Sequence, residues 1–175
     1  MSYPSTRPRR RRRNEAIRIM VRESHLHPED FIAPLFITEG EGLKEEIPSM
    51  PGYYRYSLDR LGEELKELTE LGIRSVLLFV KVPDDKKDNK GTEALNDEGL
   101  MQRSIRYIKE HYPDLFVMTD VAMDPYSSHG HDGIVEEGEI VNDLSAQLLA
   151  TMALSHAKAG ADMVAPSDMM DGRIS

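Results

Sequence analysis

Two kinds of segment alternate along the chain. Short, nearly continuous apolar runs are typical of strands buried on both faces, and segments with an apolar residue every three or four positions are typical of amphipathic helices. The predicted strands are 31–37, 73–82, 115–123 and a last one that begins at 161, and the predicted helices are 14–24, 57–72, 100–112 and 139–160. From residue 31 onward, strands therefore alternate with helices.

The helix 57–72 shows its pattern most clearly, because its leucines follow a spacing of three or four residues. Ser57 is the expected N-cap of this helix and Gly72 its expected stop, while Asn14 is the expected N-cap of the short helix 14–24. Pro34 lies inside the first apolar run and predicts a strand that is not regularly paired along its length.

The alternation, without an internal hairpin signal, predicts an α/β fold with parallel strands joined by right-handed crossovers. An open doubly wound sheet and a (β/α)8 TIM-type barrel both fit. No G-x-G-x-x-G follows the first strand, which weakens the dinucleotide-binding form of the open sheet. A barrel typically needs about 250 residues, so four strands in 175 residues would be half a barrel, and we interpret the stop directly after a strand as an incomplete chain. We divide the chain into 1–30, an N-terminal arm with a short helix, and 31–175, which in the second of these architectures is the first half of a TIM-type barrel.

Composition narrows the class of protein. The chain has no cysteine, which excludes disulfides, thiolate zinc sites and cysteine nucleophiles. No apolar run is long enough to span a bilayer, and no apolar region of a signal peptide follows the arginine-rich start. We therefore expect a cytoplasmic protein without a membrane partner.

Charge is divided unevenly between the arm and the rest. Residues 1–22 carry eight arginines and one glutamate, a charge of +7, which leaves −16 for the remainder of a chain with net charge −9. Such an arm can bind nucleic acid or dock onto an acidic surface of a sister subunit. No aromatic residue is interleaved with the arginines of "RPRRRRRN". We therefore expect an arm between subunits and no nucleic acid.

The stretch "TDVAMDPYSSHGHDG", residues 119–133, collects possible acids, bases and ligands at the end of a predicted strand. Asp120 lies within apolar residues, where an aspartate is costly unless it is paired or hydrogen-bonded. Asp124 and Asp132 flank a turn that can bring them together, and their oxygens suit Mg²⁺ or a similar hard cation better than zinc. The alternative is a solvated turn that begins at Asp124 and ends at Asp132.

Three further features have both a functional and a structural interpretation. The "HGH" at 129–131 is similar to the H-x-H of metal-dependent barrel hydrolases, but it lies in a polar loop rather than at the end of an apolar strand. Ser167 or Asp168 can cap a helix or line a pocket. Lys81 can form a Schiff base if it is desolvated, but charged residues follow it, and we expect a surface lysine.

Six motifs, in this order along the chain, resemble the porphobilinogen synthase (5-aminolevulinic acid dehydratase) family. They are "RPRRRRRNEAIRIMVRE", "FIAPLFI", "SMPGYYRYS", "LGIRSVLLF", "TDVAMDPYSSHGHDG" and "APSDMMDGR". The resemblance runs from Arg7 to Ser175 and covers the first half of a typical member.

The resemblance implies a TIM-type barrel whose N-terminal arm wraps a neighbouring subunit, usually in a homo-octamer. It also implies a reaction: two molecules of 5-aminolevulinic acid condense to porphobilinogen, with loss of two waters, in tetrapyrrole biosynthesis. The family uses two Schiff-base lysines on later strands, beyond Ser175, and none of the lysines present here occupies those motifs.

The resemblance also implies roles for residues of this chain. Asp120 matches an active-site aspartate, and Ser167 matches a pocket residue near the first Schiff-base lysine; we count both as catalytic. Zinc-using members carry cysteines at the positions of Ala122, Asp124 and Asp132. The aspartate-rich loop resembles the branch that does without this zinc and responds to Mg²⁺, often with a monovalent cation.

We therefore expect no zinc in the loop. Asp124, Asp132 and Tyr126 are expected in the substrate pocket, with Asp124 and Asp132 as ligands of a hard cation. The polar segment 83–99 falls where the family has a flexible segment near the mouth of the site, and its composition predicts a solvated loop or a lid.

Overall fold

The computed structural model describes Ser5 and residues 7–174. Its strands are β1 (Ile32–Thr38), β2 (Lys44–Glu46), β3 (Tyr54–Ser57), β4 (Ser75–Lys81), β5 (Phe116–Val121), β6 (Val135–Glu136), β7 (Glu139–Ile140) and β8 (Met163–Pro166). Its α-helices are α1 (Glu15–Met20), α2 (Leu61–Glu70), α3 (Leu100–His111) and α4 (Asn142–Ala159). None of the helices in the described part of the chain is long and apolar enough to cross a membrane.

Six strands form one sheet in the order β2-β3-β1-β4-β5-β8. Its centre consists of β1, β4, β5 and β8, which are parallel neighbours in chain order. All four carboxyl ends therefore lie at the same edge of the sheet, as predicted from the alternation of strands and helices. β1 pairs with β4 at every position from Ile32 to Thr38, including Pro34. The prediction of irregular pairing is wrong on this side, while β3 pairs only with 36–38 on the other.

Side chains of the central strands alternate between two faces of the sheet. In β4, Val76, Leu78 and Val80 are buried in the core, and the residues between them are less buried. Helices α2, α3 and α4 cover the buried face with apolar side chains. Phe36 and Phe79 stack on the opposite face with ring centroids 5.3 Å apart. Since side chains alternate along a strand, Lys81 projects to the same side as Phe79.

The helix α2 begins later than predicted. Ser57 is the last residue of β3 and is not an N-cap; the cap position is Arg60. The Ser57 hydroxyl donates to Asp59 at 2.6 Å and accepts from the backbone N–H of Leu43 at 2.9 Å. Gly72 follows the end of the helix with a φ of 89°, which confirms the predicted stop. Asn14 caps α1 by accepting from the backbone N–H of Ile17 at 2.9 Å, which confirms that prediction.

The structure also holds two short antiparallel pairs, contrary to the prediction of no hairpin. β2 pairs with β3, and β6 pairs with β7. The second pair leads from the acidic loop into α4. Neither pair has the alternating apolar pattern of a longer hairpin, because most of its residues are exposed or half-buried.

The segment 83–99 is packed more closely than a solvated loop. Ala94 is fully buried, and a Cβ on Gly91 would lie 3.3 Å from the Met123 side chain. Asn89 donates to the carbonyl of Val135 at 2.8 Å and accepts from its N–H at 3.0 Å. The expectation of a solvated loop is therefore wrong for its middle, which is held against residues 123–135.

Candidate active site

Asp120 and Ser167 meet at the carboxyl ends of β5 and β8. Asp120 pairs in register with Ala165 of the next strand, and Ser167 Oγ donates to Asp120 Oδ1 at 2.6 Å. Burial raises the pKa of Asp120, the negative charges of Asp132 and Asp168 raise it further, and the hydrogen bond from Ser167 opposes them. The strand ends thus present a carboxyl group that is readier to hold a proton than an ordinary aspartate.

Asp124 and Asp132 come together as the turn 124–132 predicted. The pKa of Asp124 is raised to about 6. The largest cause is the loss of water around its carboxyl group, followed by the charges of Asp132 and Asp120 and a hydrogen bond with Asp132. Only a protonated carboxyl can donate that hydrogen bond. The two carboxyl groups therefore lie within hydrogen-bonding reach of each other, although Asp124 as a whole residue remains exposed.

Two glycines allow the acidic loop to fold back. Gly130 has a φ of 62°, a backbone conformation that favours glycine. Gly133 is needed for a different reason, since a Cβ there would lie 2.5 Å from the Ile140 side chain. Ser145 Oγ fixes the end of the loop by accepting from the backbone N–H of Ile134 at 2.9 Å and donating to the Val141 carbonyl at 2.6 Å.

Tyr126 lies beneath these acids rather than in the open cavity. Its side chain is buried, and its hydroxyl has no hydrogen-bond partner among the described residues. Burial and the charges of Asp120, Glu93 and Asp124 raise its pKa, so the phenol stays protonated.

An open cavity of about 330 Å³ lies at the carboxyl ends of β1, β4 and β5. Asp120 and Asp124 line one part of it. Its cationic lining residues are Arg55, Lys81 and Lys87, and its apolar ones include Phe36 and Phe79. Sequence reasoning missed Arg55 and Lys87. Lys81 is exposed, as expected, and it also lines the open cavity. The alternation of side chains along β4 is the signal that identifies Lys81.

Possible metal ligands around the acidic loop are carboxylates and histidines. In the part of the chain that the structure describes, no group of three or more histidine, cysteine, aspartate or glutamate side chains is arranged to hold a metal ion. His129 is exposed, and His131 keeps a buried Nδ1 without a hydrogen-bond partner. "HGH" thus forms no hydrolase-type metal centre with the acids described here.

The segment after β8 forms a turn and not a capped helix in the described residues. Asp168 Oδ1 accepts from the backbone N–H of Met170 at 2.8 Å, and the buried Asp168 carboxylate forms an ion pair with Arg173. This ion pair was not predicted from the sequence. It holds residues 167–173 close to the strand end, which orients Ser167 toward Asp120.

Parallel strands with acids and a hydroxyl at their carboxyl ends are typical of α/β enzymes, the TIM-barrel type among them. The family model described as delta-aminolevulinic acid dehydratase matches residues 5–175. The chain belongs to the delta-aminolevulinic acid dehydratase family, whose members use zinc or magnesium.

Relatives and a solved structure agree with this assignment. The delta-aminolevulinic acid dehydratase of Chlamydia pneumoniae is 50% identical over 170 residues, which are 97% of this chain and 51% of that protein. The Bacillus subtilis (strain 168) enzyme is 49% identical over 172 residues, 98% of this chain and 52% of that protein. The chain spans about half the length of these relatives.

The solved structure is delta-aminolevulinic acid dehydratase (porphobilinogen synthase) from Toxoplasma gondii ME49 in complex with the reaction product porphobilinogen. It matches with a TM-score of 0.91 and 48% identity over 96% of this chain and 48% of that chain. The predicted fold is thereby confirmed: the parallel strands and their helices are the first half of a TIM-type barrel.

Proposed function

We propose that the enzyme built from this chain condenses two molecules of 5-aminolevulinic acid to porphobilinogen with loss of two waters. The observation that carries the proposal is the Ser167–Asp120 hydrogen bond at the carboxyl ends of β8 and β5, in a chain of the dehydratase family. The two Schiff-base lysines implied by the resemblance belong to later strands of the barrel.

Asp120 is placed to hold and pass on a proton during this reaction. Each loss of water requires a proton donor, and general acid–base catalysis works best when the pKa of the group approaches the working pH. Burial and the charges of Asp132 and Asp168 shift the pKa of Asp120 in that direction. Ser167 fixes the orientation of the carboxyl group through Oδ1 and leaves Oδ2 for the substrate.

Asp124 and Asp132 form the second part of the site. Above about pH 6 Asp124 loses its proton, and its carboxylate adds a negative charge that attracts an ammonium group. We propose that the pair hydrogen-bonds the substrate amine or supplies two oxygen ligands to a hard cation such as Mg²⁺, with or without a monovalent cation. The buried Tyr126 side chain lies near Asp124, beneath the pair of aspartates. Tightly bound zinc in this loop would contradict the assignment.

The test uses the complete enzyme and follows formation of the pyrrole from 5-aminolevulinic acid. Asp120→Asn is expected to lower kcat about 100-fold or more, because loss of a general acid typically costs 10²–10⁴. Ser167→Ala should lower it less, since it removes only an orienting hydrogen bond. Asp171→Asn, an exposed acid beyond the strand end, is the matched control. A wild-type enzyme that forms no pyrrole would contradict the proposed function.

We also propose that residues 1–30 form an arm between subunits of a homo-octamer. Residues Pro8–Arg12 form a short 3-10 helix without buried side chains. Apolar side chains of the arm and its border are exposed: Ile19, Met20, Val21, Leu26 and Phe31. Such a cluster suits another protein surface better than water. The excess of acids outside the arm supplies a complementary charge.

Two other functions were considered from the sequence. The arginine run alone supports a nucleic-acid-binding protein, and a steep loss of binding with salt would be its sign. The "HGH" supports a metal-dependent hydrolase, which needs a ligand cluster. The family match covers the arm and the barrel half together and favours the dehydratase over both.

A further inference from the structure

Asn89 joins the segment 83–99 to the acidic loop, whose first half is 124–128 and whose second half is 129–135. Its Nδ2 donates to the carbonyl of Val135 at 2.8 Å, and its Oδ1 accepts from the N–H of the same residue at 3.0 Å. The side-chain amide thus makes the two hydrogen bonds that a neighbouring strand would make. It holds the second half of the loop at its last residue.

Val135 can pair with Asn89 because its backbone groups point away from β7. In the β6–β7 hairpin, the hydrogen bond next to Val135 runs from the Val141 N–H to the Ile134 carbonyl at 2.9 Å. Bonded and non-bonded positions alternate in an antiparallel pair. The turn of this hairpin contains Glu137 with a φ of 50°, a conformation that residues other than glycine rarely adopt. So short a hairpin is marginally stable by itself, and the pair with Asn89 supports it from outside.

The residue before Asn89 holds the first half of the acidic loop. The Asp88 N–H donates to the Tyr126 carbonyl at 3.2 Å, and the Asp88 carbonyl accepts from the Ser128 N–H at 3.1 Å. Asp88 Oδ1 also accepts from the backbone N–H of Thr92 at 3.0 Å, which fixes the turn that carries both residues. Two consecutive residues of the segment 83–99 therefore bind the two halves of one loop.

The two halves of the loop carry the two acids that meet in the site. Asp124 begins the first half, and Asp132 lies in the second half, three residues before the contact with Asn89. The hydrogen bond between the two carboxyl groups therefore depends on the distance at which the halves are held. Without Asn89, the second half keeps the bond from the Ile134 N–H to Ser145 Oγ. We expect the loop to shift in that case rather than to unfold.

We propose that Asn89 is a positioning residue of the active site, which keeps Asp132 beside Asp124 by holding the acidic loop at Val135. This inference rests on the proposed function and adds to it a residue outside the lining of the cavity. Asn89 forms no bond with the substrate. Through it, the segment 83–99 acts on the reaction by shaping the acidic loop.

The first experiment compares Asn89→Ala, Asn89→Asp and Asn96→Ala in the complete enzyme. Asn96 is the matched control: it lies in the same segment, donates to Glu93 at 3.2 Å and accepts from the Glu98 N–H at 3.0 Å. Asn89→Ala is expected to lower kcat/KM for 5-aminolevulinate about 10- to 100-fold, because a displacement of about 1 Å can cost about 100-fold. Asn96→Ala should change it by less than about twofold.

Asn89→Asp separates the two hydrogen bonds of the side chain. It has nearly the same shape and keeps the acceptor for the Val135 N–H, but its carboxylate cannot donate to the Val135 carbonyl. We expect a smaller loss of kcat/KM than in Asn89→Ala. This variant gives the result if the alanine variant does not fold.

A second experiment combines each Asn89 variant with Asp132→Asn. If Asn89 acts through Asp132, its replacement should lower kcat/KM by less than about twofold in the Asp132→Asn enzyme, against the full loss in the wild type. It should also change the same parameter, kcat or KM, that Asp132→Asn changes. The melting temperature should fall by a similar amount in both backgrounds, since the hydrogen bonds to Val135 are lost in both.

Four results would overturn the inference. They are an unchanged kcat/KM in the Asn89 variants, an equal loss in Asn96→Ala, an equal fold loss with and without Asp132, and an Asp132→Asn enzyme as active as the wild type. The third result is the one expected if Asn89 has only a structural role. Failure of the proposed function is distinct, since the wild-type enzyme would then form no pyrrole.

Discussion

Asp124 and His156 are single residues whose protonation changes in opposite directions on folding. The pKa of Asp124 rises to about 6, because of lost hydration and the charges of Asp132 and Asp120. Burial lowers the pKa of His156 to about 4, and its Nδ1 lies 3.0 Å from Thr119 Oγ1. Asp124 therefore opposes folding as pH rises through the range up to about 6, whereas His156 opposes folding as pH falls below about 6.5. Their contributions to the pH dependence of folding stability therefore partly cancel.

Replacing Asp124 by asparagine should remove one of these effects. The folded-state pKa is raised, so the aspartate costs no stability below its unfolded value of 3.8 and its full cost above about 6. Asp124→Asn should match the wild type near pH 3.5 and become more stable as pH rises toward 7. Melting temperatures across this range measure the difference. A variant that is most stabilised at low pH would contradict the assigned shift.

Replacing His156 should act at the other end of the range. The folded-state pKa is depressed, so the stability that neutral His156 contributes is complete above about pH 6.5 and is lost as pH falls toward about 4. This loss amounts to about 3 kcal/mol for a shift of this size. His156→Gln keeps a polar partner for Thr119. Its free energy of unfolding should fall less than that of the wild type over this pH range. Urea unfolding at several pH values gives the result, and an unchanged acid dependence would disprove it.

At the scale of elements, a charged network joins three parts of the chain at the rim of the site. Glu39, directly after β1, accepts from Arg103 of α3 at 2.6 Å and from Lys86 at 3.4 Å, and Lys86 also pairs with Glu93 at 3.3 Å. Burial alone would raise the pKa of Glu39, but the hydrogen bonds and charges of Arg103 and Lys86 outweigh it and lower the pKa. The network anchors segment 83–99 to the sheet.

A double-mutant cycle of Glu39→Gln and Arg103→Gln should show a coupling of about 0.5–1 kcal/mol at neutral pH. Both side chains are partly exposed, which limits the coupling. Since the pKa of Glu39 is lowered, the contribution is present above its unfolded value of 4.5 and is lost as pH falls through the folded value. Denaturant midpoints of the four proteins measure it. Equal coupling at pH 7 and at pH 3 would exclude the ionic origin.

The long elements could be predicted because their patterns are local. The regular spacing of leucines predicted α2, and the continuous apolar runs predicted the parallel strands. β2 and β3 were missed because these short strands form by pairing with each other and with β1, and Ser57 was misplaced because it takes part in the pairing with β1. In the site, Asp120 stood out as an acid among apolar residues. The burial of Ala94 depends on contacts across distant segments, which no local pattern records.

At the scale of the whole molecule, the interior face of the sheet is only partly covered by the described residues. Ile32, Phe116 and Met163 remain 49%, 39% and 47% exposed. They lie on the face opposite the helices, where the later strands of a complete barrel would close over them. The helices α2, α3 and α4 cover the outer face of the sheet. Closure by the later strands should therefore add to the stability that this half draws from its own core.

Removal of residues 1–13 from the complete enzyme should lower its assembly state. The arm carries a charge of +7 over residues 1–22 against −16 elsewhere, and the deletion removes six of its eight arginines. Sedimentation velocity at low and moderate salt measures the mass. The control replaces Lys66 and Lys158, two exposed lysines outside the arm, by glutamine. A truncated enzyme that keeps the mass of the wild type would refute the role of the arm.

The paired hydrogen bonds between Asn89 and Val135 have a consequence for observing the enzyme at work. The Val135 amide proton is held by a side chain from a segment 46 residues away, and not by a neighbouring strand. Its exchange with deuterium therefore requires the segment 83–99 and the acidic loop to separate. The exchange rate of this one amide reports how often the rim of the site opens, and its slowing on addition of substrate would record closure without any attached probe.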